Sequence, residues 1–237
     1  INKGESWEPV GFENNVYIFK ILQTSDGRIF ASATFTSAET PEDTQTGVFI
    51  SEDDGLTWQQ TSITDENIKG VFNPKQGIIF ASGTGENSFY RSFDNGLSWS
   101  TNVSGLPDTI PISAIVELKG NLFASVGDPQ DAARTIGGGI YKSEDDGLTW
   151  LKSDNGLSEN TKVSDLTIFE SSLFVSTGYP IHIGDRGVFK SDDLGQTWQP
   201  IGLNDSQLRL IRATSSQQLV AGSNFSSVFI SANKGES

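Results

Sequence analysis

One octapeptide constrains this chain more than any other feature. Ser51-Glu52-Asp53-Asp54-Gly55-Leu56-Thr57-Trp58 returns unchanged as Ser143-Glu144-Asp145-Asp146-Gly147-Leu148-Thr149-Trp150. Ser92-Phe93-Asp94-Asn95-Gly96-Leu97-Ser98-Trp99 and Ser191-Asp192-Asp193-Leu194-Gly195-Gln196-Thr197-Trp198 are two looser copies. The shared pattern is Ser-x-Asp-x-Gly-x-Thr/Ser-Trp. A fifth copy is divided between the two ends. Ser231-Ala232-Asn233-Lys234-Gly235-Glu236-Ser237 contains no Trp, and Asn2-Lys3-Gly4-Glu5-Ser6-Trp7 supplies one. All five Trp of the 237-residue chain close a box, at spacings of 51, 41, 51 and 48 residues. A recurring unit of that size means a repeat architecture, in which each unit buries its apolar face on its neighbours.

The segments between boxes share one order. An apolar stretch comes first: Val16 to Leu22, Ile68 to Phe72, Ile112 to Leu118, Val163 to Phe169 and Leu208 to Ala213. A tight turn such as Ser25-Asp26-Gly27 follows. A run with small residues is next, as in Ile29 to Ser32, Ile79 to Ser82, Leu122 to Ser125, Leu173 to Ser176 and Leu219 to Gly222. A polar loop leads to a third run: Val48 to Ile50, Phe89 to Arg91, Ile140 to Lys142, Val188 to Lys190 and Val228 to Ile230. The box then turns the chain into a segment opened by Trp. Short β-branched and aromatic runs bounded by turn residues are strands. No window carries a helical period. Four strands in each of five units predict twenty strands. The expected fold is all-β: a five-bladed β-propeller of four-stranded antiparallel blades, as one domain over 1–237. The N-terminal strand, about Ser6 to Gly11, is expected to complete the last blade and close the ring, which protects an otherwise open sheet edge.

The boxes resemble the Asp-box, or bacterial neuraminidase repeat, family within the sialidase-like superfamily. That resemblance covers the whole chain and implies a propeller with each box at the turn between third and fourth strands. The box residues themselves read as structural. Asp53, Asp94, Asp145 and Asp193, with Asn233 in the split copy, accept hydrogen bonds from their own turn. Gly55, Gly96, Gly147, Gly195 and Gly235 supply a permissive backbone. Trp58, Trp99, Trp150, Trp198 and Trp7 pack between blades. Calcium binding at Asp-Asp-Gly is disfavoured because such sites want six to eight oxygens. No metal and no cofactor is expected.

Composition removes several function classes. Thirty acids against sixteen bases give a net charge of −14, which repels phosphate backbones, so no nucleic-acid partner is expected. No apolar run reaches the length of a membrane span, so no membrane insertion is expected. Zero Cys excludes thiol catalysis and Cys-ligated zinc. The apolar content of 35% fits many thin strands. Zero Met and the duplicated ends suggest a chain cut within its own repeat or an engineered array.

The resemblance also raises two enzyme readings. Sialidases use six blades, an arginine triad, a Tyr–Glu pair and an Arg-Ile-Pro sequence. Here the nearest match, Arg28-Ile29-Phe30, follows a first-to-second-strand turn on the box face, and the chain has six Arg in all. Asp-box xyloglucan hydrolases use a cleft between two propellers with one catalytic Asp from each, so one small propeller supplies half of it. Ser–His–Asp chemistry would depend on His182, the single His, with no Gly-x-Ser-x-Gly in support.

Ligand binding is expected on the face opposite the boxes, where the second-to-third loops differ most in length. The long ones are Thr36 to Gln45, Asp128 to Gly137 and Tyr179 to Gly187. Two of them belong to adjacent units and offer Asp128, Asp131 and Arg134, then Tyr179, His182, Asp185 and Arg186, side chains suited to sugar or peptide recognition. The leading expectation is a non-catalytic, monomeric binding or scaffold module for carbohydrate or a protein ligand. It is expected to be secreted, periplasmic or at the cell surface. The alternatives are a glycoside hydrolase using rim carboxylates and a protein-binding assembly factor.

Overall fold

The computed structural model describes residues 6, 9, 11–12, 16–36, 44–65, 68–85, 88–107, 111–127, 138–159, 161–178, 185–204, 206–223 and 227–233. These residues are all-β, with five antiparallel sheets of three or four strands and no helix. The first sheet is β1 (Val16–Gln23), β2 (Ile29–Thr36), β3 (Thr44–Ser51) and β4 (Gln59–Gln60). The second is β5 (Ile68–Lys75), β6 (Ile78–Gly83) and β7 (Phe89–Ser92). The third is β8 (Ile112–Leu118), β9 (Asn121–Val126), β10 (Gly139–Ser143) and β11 (Leu151–Lys152). The fourth is β12 (Val163–Phe169), β13 (Ser172–Thr177), β14 (Gly187–Ser191) and β15 (Gln199–Gly202). The fifth is β16 (Leu208–Ala213), β17 (Leu219–Ser223) and β18 (Val228–Ser231). Each sheet is a simple meander whose spatial order follows the sequence.

Eighteen strands are described against the twenty expected. In the second sheet the chain after Trp99 makes a single bridge, Arg91 to Ser100. The N–H of Val103 then bonds the carbonyl of Thr101 at 2.7 Å, which turns the chain away before a ladder can grow. The expected outer strand of the fifth sheet, with Trp7, lies largely outside the described residues. The first sheet departs the other way. Its β2–β3 ladder continues to Thr36 opposite Thr44, so the ends of the segment expected to be a loop are paired strand.

The first strands of successive sheets touch one another in order, β1 with β5, β5 with β8, β8 with β12 and β12 with β16. Each carries a register shift at the same place: Ile18/Lys20, Ile68/Gly70, Ile112/Ala114, Val163/Asp165 and Leu208/Leu210. A bulge twists a strand and re-aims the side chain that follows it. The second strands are the most buried, and Phe30, Phe80, Phe123 and Phe174 are almost fully enclosed. Burying one such ring is worth about 1.5–3 kcal/mol.

The boxes build the seams between sheets. The Cβ position of Gly96 lies against the Phe30 ring of the preceding sheet, that of Gly147 against Phe80, and that of Gly195 against Phe123. The indole of Trp150 packs edge-on against Phe80 and Phe89. Backbone bonds cross the same seams. Trp150 N–H donates to Ser104 O at 2.9 Å, and Trp198 N–H donates to Asn155 O at 2.8 Å. Gly105 and Gly156 permit this approach, because a Cβ there would stand 2.0 and 2.2 Å from the carbonyl oxygens of Trp150 and Trp198.

Candidate functional site

Each described box is one hydrogen-bonded unit. The Oδ1 of Asp145 accepts from the Ser143 hydroxyl at 2.8 Å and from Thr149 N–H at 2.9 Å, while Oδ2 accepts from the Thr149 hydroxyl at 2.6 Å. The Ser143 hydroxyl oxygen accepts from Gly147 N–H at 2.8 Å. Asp53, Asp94 and Asp193 repeat the arrangement with Thr57, Ser98 and Thr197. Asn233 keeps one part of it, accepting from the Ser231 hydroxyl at 2.8 Å. Gly235 and Trp7 lie outside the described residues. Burial works against the charge of Asp94 and Asp145, but the donated hydrogen bonds outweigh it and hold both carboxyls at about 2. The Thr57 hydroxyl and N–H likewise hold Asp53 below the usual range. Both oxygens of these carboxylates are taken by protein donors.

The rim residues divide. Asp128, Asp131, Arg134, Tyr179 and His182 lie outside the described residues, so the expected meeting of the two loops is not placed. Asp185 and Arg186 are described at the entry to β14. The Asp185 Oδ2 accepts from Ser158 N–H at 2.5 Å and from the Thr161 hydroxyl at 2.9 Å. Its own N–H donates to Thr161 Oγ1 at 3.1 Å. Asp185 therefore clamps the second-to-third loop of the fourth sheet to the segment that enters that sheet. A backbone donor and a hydroxyl hold its carboxylate. The stem of Arg186 lies over Gly178. Arg28 pairs with Asp26 at 2.7 Å, on the β1–β2 hairpin where the sequence placed it.

One carboxylate escaped the sequence reading. Asp165 is buried on β12, one residue past the bulge. Its carboxylate accepts from Leu166 N–H and Ile211 N–H, each at 3.0 Å, and from the Arg212 guanidinium. Burial pushes its carboxyl up, against the pull of Arg212 and the two backbone donors. Lys20 of β1 also feels Asp165 and Arg212, and burial lowers its ammonium to about 8. Its Nζ sits 3.5 Å above the Phe72 ring of β5. Groups from the first, second, fourth and fifth sheets thus share one neighbourhood among the inner strands. The available signal was an acid alone in an apolar first strand.

A groove of about 740 Å³ opens on the box face between the third and fourth sheets. Its charges are paired, Lys142 with Glu144 at 2.6 Å and Lys152 with Asp154 at 3.0 Å. Among the described residues no group of three or more His, Cys, Asp and Glu is placed to hold a metal. No helix among them is long and apolar enough to cross a membrane.

Comparison with known proteins changes the functional reading. No protein-family model matches the chain. The chain is 28% identical over 193 residues to an oligoxyloglucan-reducing end-specific xyloglucanase of Emericella nidulans, covering 72% of this chain and 21% of the relative. A probable enzyme of the same description from Neosartorya fischeri is 26% identical over 192 residues, covering 71% of this chain and 21% of that protein. The chain thus spans about a fifth of the length of the curated relatives it matches. Among solved structures, an ancestral GH74 enzyme superposes with a TM-score of 0.70 at 15% identity, over 97% of this chain and 32% of that one. The GH74 enzyme of Niastella koreensis superposes with a TM-score of 0.68 at 18% identity, over 92% and 37%. These structural likenesses establish the fold. The expectation of a non-catalytic binding or scaffold module is overturned, because the sequence relatives are glycoside hydrolases. That expectation rested on the lack of a visible catalytic constellation, and a site assembled from separate rim loops leaves no compact motif in one chain.

Proposed function

We propose that this chain is part of a glycoside hydrolase acting on xyloglucan-type oligosaccharides, and that it forms one wall of the substrate cleft. The observation that carries this reading is the 28% identity to a xyloglucanase across 193 residues. Its five sheets are taken as the blades of an Asp-box β-propeller, with the box face structural and the opposite rim facing the sugar.

Glycoside hydrolysis needs a protonated carboxyl at the leaving oxygen and a carboxylate as base or nucleophile, about 5 to 9.5 Å apart. Asp128 and Asp131 are the rim acids assigned to this work. Asp185 is given a positioning role, since its carboxylate is already held by Ser158 and Thr161. Tyr179 supplies an aromatic face for a pyranose ring, and Arg134, His182 and Arg186 supply hydrogen bonds to its hydroxyls. The second acid of the pair comes from the same rim or from the facing wall of the complete protein. A hydrolase of a wall polysaccharide meets its polymer outside the cell, which supports a secreted or surface location.

The test is chromatography of oligoxyloglucan digests made with the full-length protein. Oligosaccharides shortened at one linkage are expected, and the Asp128→Asn and Asp131→Asn variants should show which acid lowers turnover by 100-fold or more. Absence of cleavage by the intact protein overturns the hydrolase reading. Full activity in the double variant overturns the assignment of the rim acids.

A further inference from the structure

Every first strand is interrupted by a bulge at the same register. The residue that the ladder skips is Phe19 in β1, Lys69 in β5, Ser113 in β8, Ser164 in β12 and Arg209 in β16. These positions are equivalent in all five sheets, yet no consensus runs through them. The box repeats its residues because every sheet builds the same turn. At the bulges the backbone repeats and the side chains differ: an aromatic ring, two cations and two hydroxyls. A repeated irregularity that re-aims unlike side chains to one level is the arrangement expected beside a binding site.

The bulges lie at the rim end of the molecule. Box turns and first hairpins share the other end, as Asn95 N–H donates to Gly77 O at 3.2 Å and the Ser172 hydroxyl donates to Asp192 at 2.5 Å. The first strands therefore begin at the rim, and each bulge falls within their first four residues. The strands converge at this level. Lys20 and Asp165 each directly follow a bulge, and the charges of Asp165 and Arg212 reach Lys20 from the fourth and fifth sheets. The Lys69 ammonium stands 3.9 Å from the centre of the Phe19 ring, so two bulged residues touch. The Ser113 hydroxyl reaches the next strand and donates to Val163 O at 3.4 Å. Phe19 is 42% exposed, and Lys69 and Arg209 are exposed. Ser164 is 5% exposed, and its hydroxyl has no hydrogen-bond partner.

Charge selects the ligand. The five first strands carry five bases and two acids, in a chain whose net charge is −14. The bulged residues include no acid. Asp165, the acid that follows a bulge, already accepts from Leu166 N–H, Ile211 N–H and Arg212. A guanidinium and an ammonium suit a carboxylate, an exposed phenyl face suits a pyranose ring, and an unmet hydroxyl suits a ring hydroxyl. We propose that the five bulged residues form a subsite for a carboxylate-bearing sugar, a uronic acid, at the rim end of the inner strands. Arg209 and Lys69 hold its carboxylate, the Phe19 ring stacks on its pyranose, and Ser164 takes one of its hydroxyls. The subsite uses none of the loop acids assigned to hydrolysis.

Isothermal titration calorimetry of the full chain with a glucuronic-acid disaccharide tests this. Saturable binding is expected, weakened by salt and weakened about tenfold or more in Arg209→Gln and in Lys69→Gln. Arg209→Lys should keep part of the affinity, and Phe19→Ala should lose the stacking contribution. Phe19, Lys69 and Arg209 are exposed, so these variants should melt close to wild type. Lys142→Gln, on the box face, should bind as wild type does. Equal affinity for the neutral disaccharide of the same linkage, or binding that survives loss of both cations, overturns the proposal. Inorganic phosphate competing as well as the sugar would assign a bare anion site and overturn the saccharide class. No binding overturns the proposal outright. Cleavage of oligoxyloglucan is measured separately, so the subsite and the hydrolase reading can each fail alone.

Discussion

The indole N–H of Trp198 donates to the backbone carbonyl of Ser153 at 2.7 Å, so a side chain of the fourth box is held by the third sheet. Trp58 and Trp150 instead donate to the glycine carbonyls of their own boxes, Gly55 at 3.0 Å and Gly147 at 3.1 Å. The Ser153 hydroxyl completes the tie by donating to Gly195 O at 2.8 Å. Trp198→Phe keeps most of the packing and loses the bond, for an expected cost of about 1–2 kcal/mol. Trp198→Ala should cost about 3–5 kcal/mol. Urea unfolding of both variants measures the difference, and a Trp198→Phe variant as stable as wild type would mean that the bond contributes nothing.

Gly156 and Gly27 form a matched pair. Both have positive φ, +103° and +93°, but a Cβ at Gly156 would stand 2.2 Å from Trp198 O, whereas at Gly27 nothing described lies within 4 Å. Gly27→Ala should cost about 1–2 kcal/mol for its backbone conformation alone. Gly156→Ala should cost more, about 2–4 kcal/mol, because the seam must also open. Comparable melting temperatures for the two would contradict the close approach.

Acid should unfold the protein through its boxes. Asp53, Asp94, Asp145 and Asp193 are all held below the ordinary carboxylate value of 3.8, and Asp26 is held at about 2 by Arg28 and Thr24. A lowered folded-state value contributes stability that is present above about pH 4 and lost as pH falls toward 2. Asp165, whose carboxyl is raised, acts in the opposite sense and is outnumbered. Asp145→Asn should lower stability at pH 7 and flatten the acid limb. Circular dichroism melts from pH 5 to pH 2 provide the comparison.

Alkaline behaviour should report Lys20. Its folded value of about 8 lies below the ordinary 10.5. Between these values the unfolded chain still holds a proton that the folded chain has released, so stability rises with pH across that interval. Lys20→Met should abolish the rise and stabilise the protein at pH 7. A wild-type urea midpoint that stays flat from pH 8 to pH 10 would place Lys20 in water.

Asp185 offers a test of the rim without touching a proposed acid. Asp185→Ala leaves Ser158 N–H and the Thr161 hydroxyl without their acceptor, at a cost of about 1–3 kcal/mol. If the clamp positions the sugar-binding loop, kcat/KM on oligoxyloglucan falls while the fold persists. Unchanged kinetics would reduce Asp185 to a structural tie.

The box was legible in the sequence because identical chemistry has to recur wherever the same turn is built. First, second and third strands were legible as short apolar runs. The fourth strand was overread in the second sheet. The chain after Trp99 needs only Ser100 to satisfy the ladder before it turns, and a run of polar residues does not reveal where pairing stops. Asp165 was hidden because its burial depends on the bulge between Val163 and Asp165, and a one-residue register shift leaves no mark in composition. The hydrolase reading was underweighted because the boxes dominate the sequence and advertise structure, and the relatives that favour it are only 26–28% identical to the chain over the matched residues.

The boxes and the segments that follow Trp tie the first four sheets together along one edge, while the first strands touch one another in order. Adjacent sheets are registered from that edge, much as pages are held at the spine. The loops at the other edge can then be lengthened or exchanged without resetting the angle between neighbours. The β2–β3 ladder, which runs on to Thr36 and Thr44 while β6 and β7 are joined by a far shorter connection, shows that freedom already in use. A scaffold bound in this way lets the lengths of its loops change while its framework stays constant.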